Sequence, residues 1–330
     1  MEFRRFIRSL TNCWEKKMID RENYFIKELG KEVKFNVPIS DFVSLKVGGK
    51  TEVFYEAKDV ESLTKAIVAA YNSNTPYFIL GGGYNVVPSD EGFQGLVIKN
   101  LSNNIIFTPE SSTVIADSGV LLGKLINLAA GRDLGGLEFL FGVPSTIGGA
   151  IYGNAGAFNY AIGDYVKSVT LLVHRENGIA IEKHDAEWMD FSYRSSHLKK
   201  VKSKENYSPV ILTATLQLVR KRKDEILSAM QHNIELKKRN QPLDEISAGS
   251  FFKNPGAGKE MAAGYLLEKA GAQKLKVGGA TFSTKHANFL INKKRASAED
   301  IRILAEKAKN LVSDKLGVQL QEEVEYIGKW

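Results

Sequence analysis

The residues whose spacing suggests chemistry in this chain are glycines. Leu134–Gly163 reads LGGLEFLFGVPSTIGGAIYGNAGAFNYAIG, with no charged side chain from Phe139 to Gly163. Glycines at 148, 149, 153 and 156 let the backbone come close to a ligand and take φ > 0, so that successive N–H groups can converge on an anion. That is phosphate-cradle chemistry; the plainer alternative is a tight buried bend. A second candidate cradle is Gly81-Gly82-Gly83-Tyr84-Asn85, where three glycines can wrap a diphosphate and Asn85 can assist. It is not a dinucleotide fingerprint, because Val86 occupies the third glycine position and Pro88 opposes the required helix. Gly48-Gly49-Lys50-Thr51 likewise fails as a P-loop, since Ser44 replaces its first glycine and Thr51–Glu56 alternates as a strand.

Regular elements must carry these loops. Asp59 caps a helix with Val60, Leu63 and Ile67 on one face, followed by an apolar strand Tyr77–Leu80 and a second strand Leu96–Ile98, a β–α–β beginning. A second helix presents Leu121, Leu122, Leu125 and Leu128 and ends at Gly131. Val166–Val173 and Val210–Val219 alternate as strands, with Tyr193-Arg194-Ser195-Ser196 on a loop or strand end between them. A helix over about 224–238 turns Ile226, Leu227, Met230 and Ile234 inward and stops before Pro242. Ser250 then stands between Gly249 and Phe251-Phe252. Ser297 and Asp300 have capping-box spacing for a last helix that breaks at Gly317. The terminal strand, Val318–Ile327, carries Glu322 and Glu323, of which only one can face a given site.

Composition excludes several classes. A hydrophobic content of 43% with 25% charge is that of an ordered, non-fibrous protein. Pro144, Asn154, Asn159 and the glycines would break a membrane span through the uncharged stretch. Cys13 is the only cysteine, which leaves no intrachain disulfide and no cysteine-based metal site and suits a reducing compartment. The N-terminus has no sustained apolar core, so the expected location is cytoplasmic, without membrane insertion. The net charge of +7 comes with no nucleic-acid motif, and no nucleic-acid partner is expected. Residues 1–30 read as a charged, loosely helical extension packed through Phe6, Leu10, Trp14 and Phe25.

The motifs together resemble the UDP-N-acetylenolpyruvoylglucosamine reductase family. The carriers are Val47-Gly48-Gly49, Gly81–Asn85, Ser89–Phe93, Gly136–Phe139, Gly142–Ala150 and Asn154–Ala157, then Phe191–Ser196, Ala248–Pro255, Lys285–Phe289 and Glu323–Gly328. Their order, from about residue 35 to the C-terminus, is more specific than any one of them, and the shorter, type II branch is the better match. Tyr84 stands where serine is common, Ser145 replaces a glycine, Pro88 interrupts an apolar run, and Ser44-Leu45 is unusual before Lys46.

The resemblance implies an α+β fold: a two-lobed FAD-binding domain of the PCMH, or vanillyl-alcohol-oxidase, type and an α+β substrate-binding domain. Chain order then suggests an extension at 1–33, a first FAD lobe at 34–98 joined by the terminal strand at 317–330, a second lobe at 99–221 and a substrate domain at 222–316. The implied reaction is NADPH-dependent reduction of UDP-N-acetylglucosamine enolpyruvate through FAD, which is non-covalent because no histidine lies in either cradle. Arg194 and Glu323 would stabilise the enol-like charge, and Ser250 would protonate C2. FAD would be bound by Gly48, Gly49, Gly81, Gly82, Gly83, Tyr84, Asn85, Pro144, Ser145, Thr146, Gly148, Gly149, Asn154, Ala155 and Gly156, and substrate by Tyr193, Lys253, Asn254, His286 and Asn288. No metal is implied, and a monomer is expected. The competing readings are another flavin oxidase of the same fold and a non-catalytic nucleotide-binding protein.

Overall fold

The computed structural model describes residues 21–176, 178–201 and 208–330. Residues 21–29 are helical and bury Phe25 completely; Phe6, Leu10, Trp14 and Cys13 lie outside the described residues. Three sheets of four or five strands follow among the described residues. In the first, the strands run in the order Lys34–Pro38, Lys50–Ala57, Phe93–Asn100, Tyr77–Leu80. Lys50–Ala57 and Tyr77–Leu80 both lie parallel to Phe93–Asn100, so helix Val60–Asn72 is the crossover that parallel pairing demands. Asp59 starts that helix by accepting the Ser62 N–H at 2.7 Å in a reciprocal capping box.

The second sheet is antiparallel, in the order Gly178–Asp185, Val166–Arg175, Val210–Gln217, Thr113–Asp117, Ile105–Thr108. Leu172, Val210 and Leu212 from it share a core with Leu63, Ala66, Ile67, Leu96 and Ile98. The crossover helix is therefore a middle layer, apolar toward both sheets, which is why its alanines are buried as well as its leucine and isoleucine. Helix Leu122–Ala130 buries Leu122, Leu125, Ile126 and Ala129. The inward face expected at Leu121 and Leu128 is corrected: both are exposed, Leu121 because it is the extended N-cap residue.

Helix Lys223–Asn240 buries Ile226 and Met230, while Leu227 points outward, against expectation. Its partners are Leu137, Leu140 and Leu218, so it shares the core of the antiparallel second sheet. The apolar stripe of a helix says that a core exists but not which one.

The third sheet, in the order Ser247–Ser250, Phe289–Asn292, Ala280–Phe282, Lys276–Val277, is covered by helices Ala263–Ala270 and Ala298–Leu316. Helix Ala298–Leu316 has the Ser297/Asp300 box and a left-handed Gly317 at its end. Its first N–H groups, from Ala298 and Glu299, also donate to the two oxygens of Asp90 at 2.9 and 3.0 Å. A loop of the first lobe thereby caps the last helix, placing negative charge at its positive end. Of the expected terminal strand only Glu325–Ile327 forms, parallel to Val86–Pro88. Residues Gln321–Glu323 run instead beside Phe251–Lys253, through the Glu323 N–H to Phe251 carbonyl bond and the Lys253 N–H to Gln321 carbonyl bond, both 2.8 Å. Among the described residues no helix is long and apolar enough to cross a membrane.

Candidate active site

Both glycine-rich loops reach one cavity of about 330 Å³, lined by Gly81–Val86, Pro144–Thr146, Gly148, Gly149 and Gly153. The loops touch: a Cβ on Gly81 would lie 2.7 Å from Thr146 Oγ1, and one on Gly148 2.8 Å from Ser118 Cβ. Side chains there would close the cradle. Gly83 is left-handed at φ 73°, and a Cβ would meet the Phe42 carbonyl oxygen at 2.0 Å, so only glycine fits. The Tyr84 ring lies against Gly82, where a Cβ would meet it at 2.2 Å. Ser44, unusual in its motif, braces this loop by donating its N–H to the Gly83 carbonyl at 2.9 Å. Lys99 donates to the Gly81 carbonyl at 2.5 Å, and burial lowers its pKa, Glu56 opposing.

The other wall is Tyr77–Ile79 with Leu198 and Pro209–Ile211. A glycine-lined main chain beside an apolar wall, in a volume within the roughly 300–1,000 Å³ of ligand pockets, suits a dinucleotide with a flat ring system. The lining carboxylate, Glu325, is paired with Lys199 at 2.8 Å, so it does not repel a diphosphate. Tyr152 lines the same wall; burial first, then the Glu325 charge, pushes its phenol up to about 12, which keeps it a neutral hydroxyl.

Several residues expected to bind the cofactor do not line this cavity. Gly48 and Gly49 pack on the next loop, where Cβ atoms would lie 2.6 Å from Pro88 Cβ and 2.2 Å from the Asp90 carbonyl oxygen. They are glycines because two backbones cross there. Asn154, Ala155 and Gly156 do not line the cavity. Asn154 is buried, donates Nδ2 to the Ser192 carbonyl at 2.8 Å and accepts the Gly163 N–H at 3.0 Å. It thus holds the turn that presents Arg194. Ala155 accepts the Ile162 N–H at 2.8 Å, and a Cβ on Gly156 would lie 3.3 Å from Arg194 Nη1.

Of the three residues with expected chemical roles, Arg194 and Glu323 meet, and Ser250 precedes the residue that bonds the Glu323 main chain. Ser192 and Ser195 exchange two 3.0 Å backbone bonds, leaving Tyr193 and Arg194 as the central pair of a tight turn, with Arg194 at φ 52°. A left-handed arginine is strained, and such strain persists where the surroundings enforce it. Its Nε stands 2.8 Å from Glu323 Oε1 but makes no hydrogen bond. The contact is therefore coulombic, with the N–H directed off the oxygen. Ser250 ends its strand beside Phe251, whose carbonyl accepts the Glu323 N–H. Phe251 and Phe252 are completely buried and anchor that segment. Glu322 turns the other way, to Lys309 at 3.2 Å, so Glu323 is the member of the pair that faces Arg194.

Tyr193 accepts the Asn254 N–H at 3.2 Å, and Asn254 Oδ1 accepts the Ala263 N–H at 2.9 Å. Lys253 has a pKa lowered by burial and then by Lys199, against the pull of Glu323 and Glu325. Three cations, Arg194, Lys199 and Lys253, therefore meet two carboxylates, Glu323 and Glu325, leaving one positive charge for an anionic substrate. Asn288 is committed: Oδ1 accepts the Phe252 N–H and Nδ2 donates to the Phe252 carbonyl, at 2.9 and 2.8 Å. It clamps the strand carrying Ser250 rather than presenting its amide to a ligand. His286 accepts the Asn288 N–H at 3.2 Å, and its pKa is lowered by burial. Lys199, Tyr152 and Glu325 had no role in the sequence reading. Lys199 and Lys200 are adjacent lysines in the sequence, and only the folded position of Lys199 reveals the pair with Glu325. Among the described residues no group of three or more His, Cys, Asp or Glu could hold a metal ion.

Behind the Pro144 loop, Lys237 is buried and donates to the Phe141 carbonyl at 2.5 Å. Burial lowers its pKa to about 8 from 10.5. The unfolded chain thus holds its proton more tightly, and folding stability rises with pH between these values. Lys237→Met removes this buried charge. The variant's stability relative to the native protein should therefore be greatest at neutral pH and fall by about 3 kcal/mol by the upper end of that window. Chemical denaturation of both proteins across it measures the change, and a constant difference would contradict it.

A family model described as an FAD binding domain matches residues 51–180, and one described as UDP-N-acetylenolpyruvoylglucosamine reductase, C-terminal domain, matches residues 241–327. The chain is 38% identical to the UDP-N-acetylenolpyruvoylglucosamine reductase of Clostridium novyi over 91% of its length and 93% of that protein. It is 36% identical to that of Anoxybacillus flavithermus over 90% and 95%. Among solved structures, that of the reductase of Thermus caldophilus superposes with a TM-score of 0.72 at 30% identity, covering 88% of this chain and 97% of that one.

Proposed function

Because the chain belongs to the UDP-N-acetylenolpyruvoylglucosamine reductase family, we propose that Arg194, Ser250 and Glu323 are the groups with which it reduces UDP-N-acetylglucosamine enolpyruvate to UDP-N-acetylmuramate. The family reaction serves peptidoglycan precursor synthesis with FAD and NADPH. The fold is the two-lobed FAD-binding domain joined to an α+β substrate domain. Main-chain groups of Gly81–Gly83 and of Ser145–Thr146 would hold FAD, with Gly148 and Gly149 leaving it room, and FAD when bound supplies the hydride chemistry.

On the substrate, a hydride and a proton add across the enolpyruvyl double bond. Hydride addition at C3 moves charge toward C2 and the conjugated carboxylate. Arg194 receives that carboxylate: its Nη groups can donate two parallel hydrogen bonds while Nε stays against Glu323. These interactions strengthen as charge develops, which is what lowers the barrier. Glu323 orients the guanidinium, and the Ser250 hydroxyl delivers the proton to C2. Lys199 and Lys253 supply the field that makes a serine hydroxyl a competent acid and attracts the anionic substrate. The substrate domain would be Ser247–Leu316, with helix Lys223–Asn240 on the flavin side, because that is where each buries its apolar face.

The observation that carries this reading is the meeting of three distant segments, through the 2.8 Å Arg194–Glu323 contact and the 2.8 Å Glu323–Phe251 backbone bond. Anaerobic addition of NADPH to the purified protein should bleach the flavin bands, and UDP-N-acetylglucosamine enolpyruvate should restore them. Bleaching that oxygen reverses rapidly and the sugar nucleotide does not would identify a flavin oxidase. A colourless protein that FAD cannot reconstitute would identify a nucleotide-binding protein.

A further inference from the structure

Asn85 follows the triple glycine and lines the cavity, where an amide would be expected to reach a diphosphate. Its side chain goes elsewhere. Nδ2 donates to the main-chain carbonyl of Glu323 at 3.0 Å, across 238 residues of sequence, and the Asn85 carbonyl accepts the Glu325 N–H at 2.9 Å. The Glu323–Glu325 segment is thus tied to the glycine loop on one side. On the other, the Glu323 N–H is held by Phe251, the neighbour of Ser250, and Glu325 is held by Lys199 at 2.8 Å. A rotation of the Glu323 main chain that would turn its side chain away from Arg194 breaks at least one of these bonds.

An asparagine suits the task. Aspartate at 85 would set a carboxylate against the Glu323 carbonyl, and alanine would leave that carbonyl unpaired in a half-buried place. Asn154 and Asn288 do the same for the other two groups, holding the Arg194 turn through Ser192 and the Ser250 strand through Phe252. We propose that Asn85 is a positioning residue that fixes Glu323 against Arg194 and beside Ser250, coupling the cofactor cradle to the proton-transfer site. This rests on the roles given above to Arg194, Ser250 and Glu323. The main-chain N–H groups of Gly81–Gly83, and not the Asn85 amide, are the donors assigned to the diphosphate, so cofactor affinity should not depend on that amide.

The test compares the full-length native protein, Asn85→Ala, Glu323→Gln and the double variant. In the apoprotein, amide hydrogen exchange across 323–325 should quicken by about tenfold in Asn85→Ala. The FAD dissociation constant, from fluorescence titration, should stay within about threefold of native. Single-turnover reoxidation by UDP-N-acetylglucosamine enolpyruvate should slow by about a hundredfold, the penalty of a misplaced group. The double variant should be no slower than Glu323→Gln, because Asn85 acts through Glu323. Additive losses, unchanged exchange, or an FAD affinity weakened tenfold or more (about 1.4 kcal/mol) with normal reoxidation at saturating cofactor would overturn the proposal. Should Asn85→Ala fail to fold, Asn85→Ser, whose side chain is too short for Glu323, is read the same way. If the native protein itself is not reoxidised by the sugar nucleotide, the assigned roles fail, while the exchange measurement still judges the brace.

Discussion

Ser250→Ala should slow reoxidation of the reduced protein by UDP-N-acetylglucosamine enolpyruvate by about 10²–10⁴-fold, the range for loss of a general acid. Reduction by NADPH should stay within about twofold of native, since no proton is delivered to C2 in that half-reaction. The separation follows from the place of Ser250 at the end of its strand, beside the Phe251–Glu323 backbone bond. The substitution removes one oxygen atom and leaves Phe251, Phe252 and the Asn288 clamp intact, so the fold should not change. Stopped-flow absorbance of each half-reaction measures both rates. An equal fall in the two would show that Ser250 supports the flavin site in general and is not the proton donor.

Arg194→Ala should lower kcat by about 10²–10³-fold, the usual loss when one donor to a developing oxyanion is removed. KM for the sugar nucleotide should rise as well, because the guanidinium also meets the carboxylate in the ground state. Two further effects follow from its surroundings. Glu323, of whose side chain 21% is exposed, loses the cation that stands 2.8 Å away, leaving a half-buried carboxylate unpaired. The turn at φ 52° remains strained for alanine. Arg194→Lys should recover only part of the rate, because an ammonium is a point charge without the planar fork. Steady-state kinetics decide the matter. Full activity in Arg194→Lys would mean that charge alone is used, and a normal kcat in Arg194→Ala would remove this residue from the mechanism.

The site was partly legible before folding. Glycine patterns announce left-handed and close-approach backbone by themselves, so the loops at 81–83 and 148–149 were found as cradles, and both line the cavity. At Gly48 and Gly49 the same signal has a second cause, because glycine is demanded equally when one backbone crosses another. Asparagine carries a similar ambiguity. Asn85, Asn154 and Asn288 stand in the right motifs, yet their amides hold main chain, and a short polar side chain does not say whether its partner is a ligand or a peptide. For Glu322 and Glu323 the alternation argument held although Val318–Val324 is not a regular strand, since backbone extended locally still sends neighbours to opposite sides.

Local conformation is written in short stretches of the chain: the Asp59 and Ser297 caps, the Tyr77–Leu80 strand, the glycine turns and the apolar faces of most helices. Each depends on a few neighbouring residues and needs no knowledge of the rest of the chain. Tertiary structure decided the partnerships. It placed helix Lys223–Asn240 in the core of the second sheet, set Asp90 on the last helix, joined Lys199 to Glu325, and hung Glu323 between Asn85 and Phe251. These pairs lie tens to hundreds of residues apart, and their geometry follows from how three sheets bury their apolar faces at once, a condition that no local spacing records.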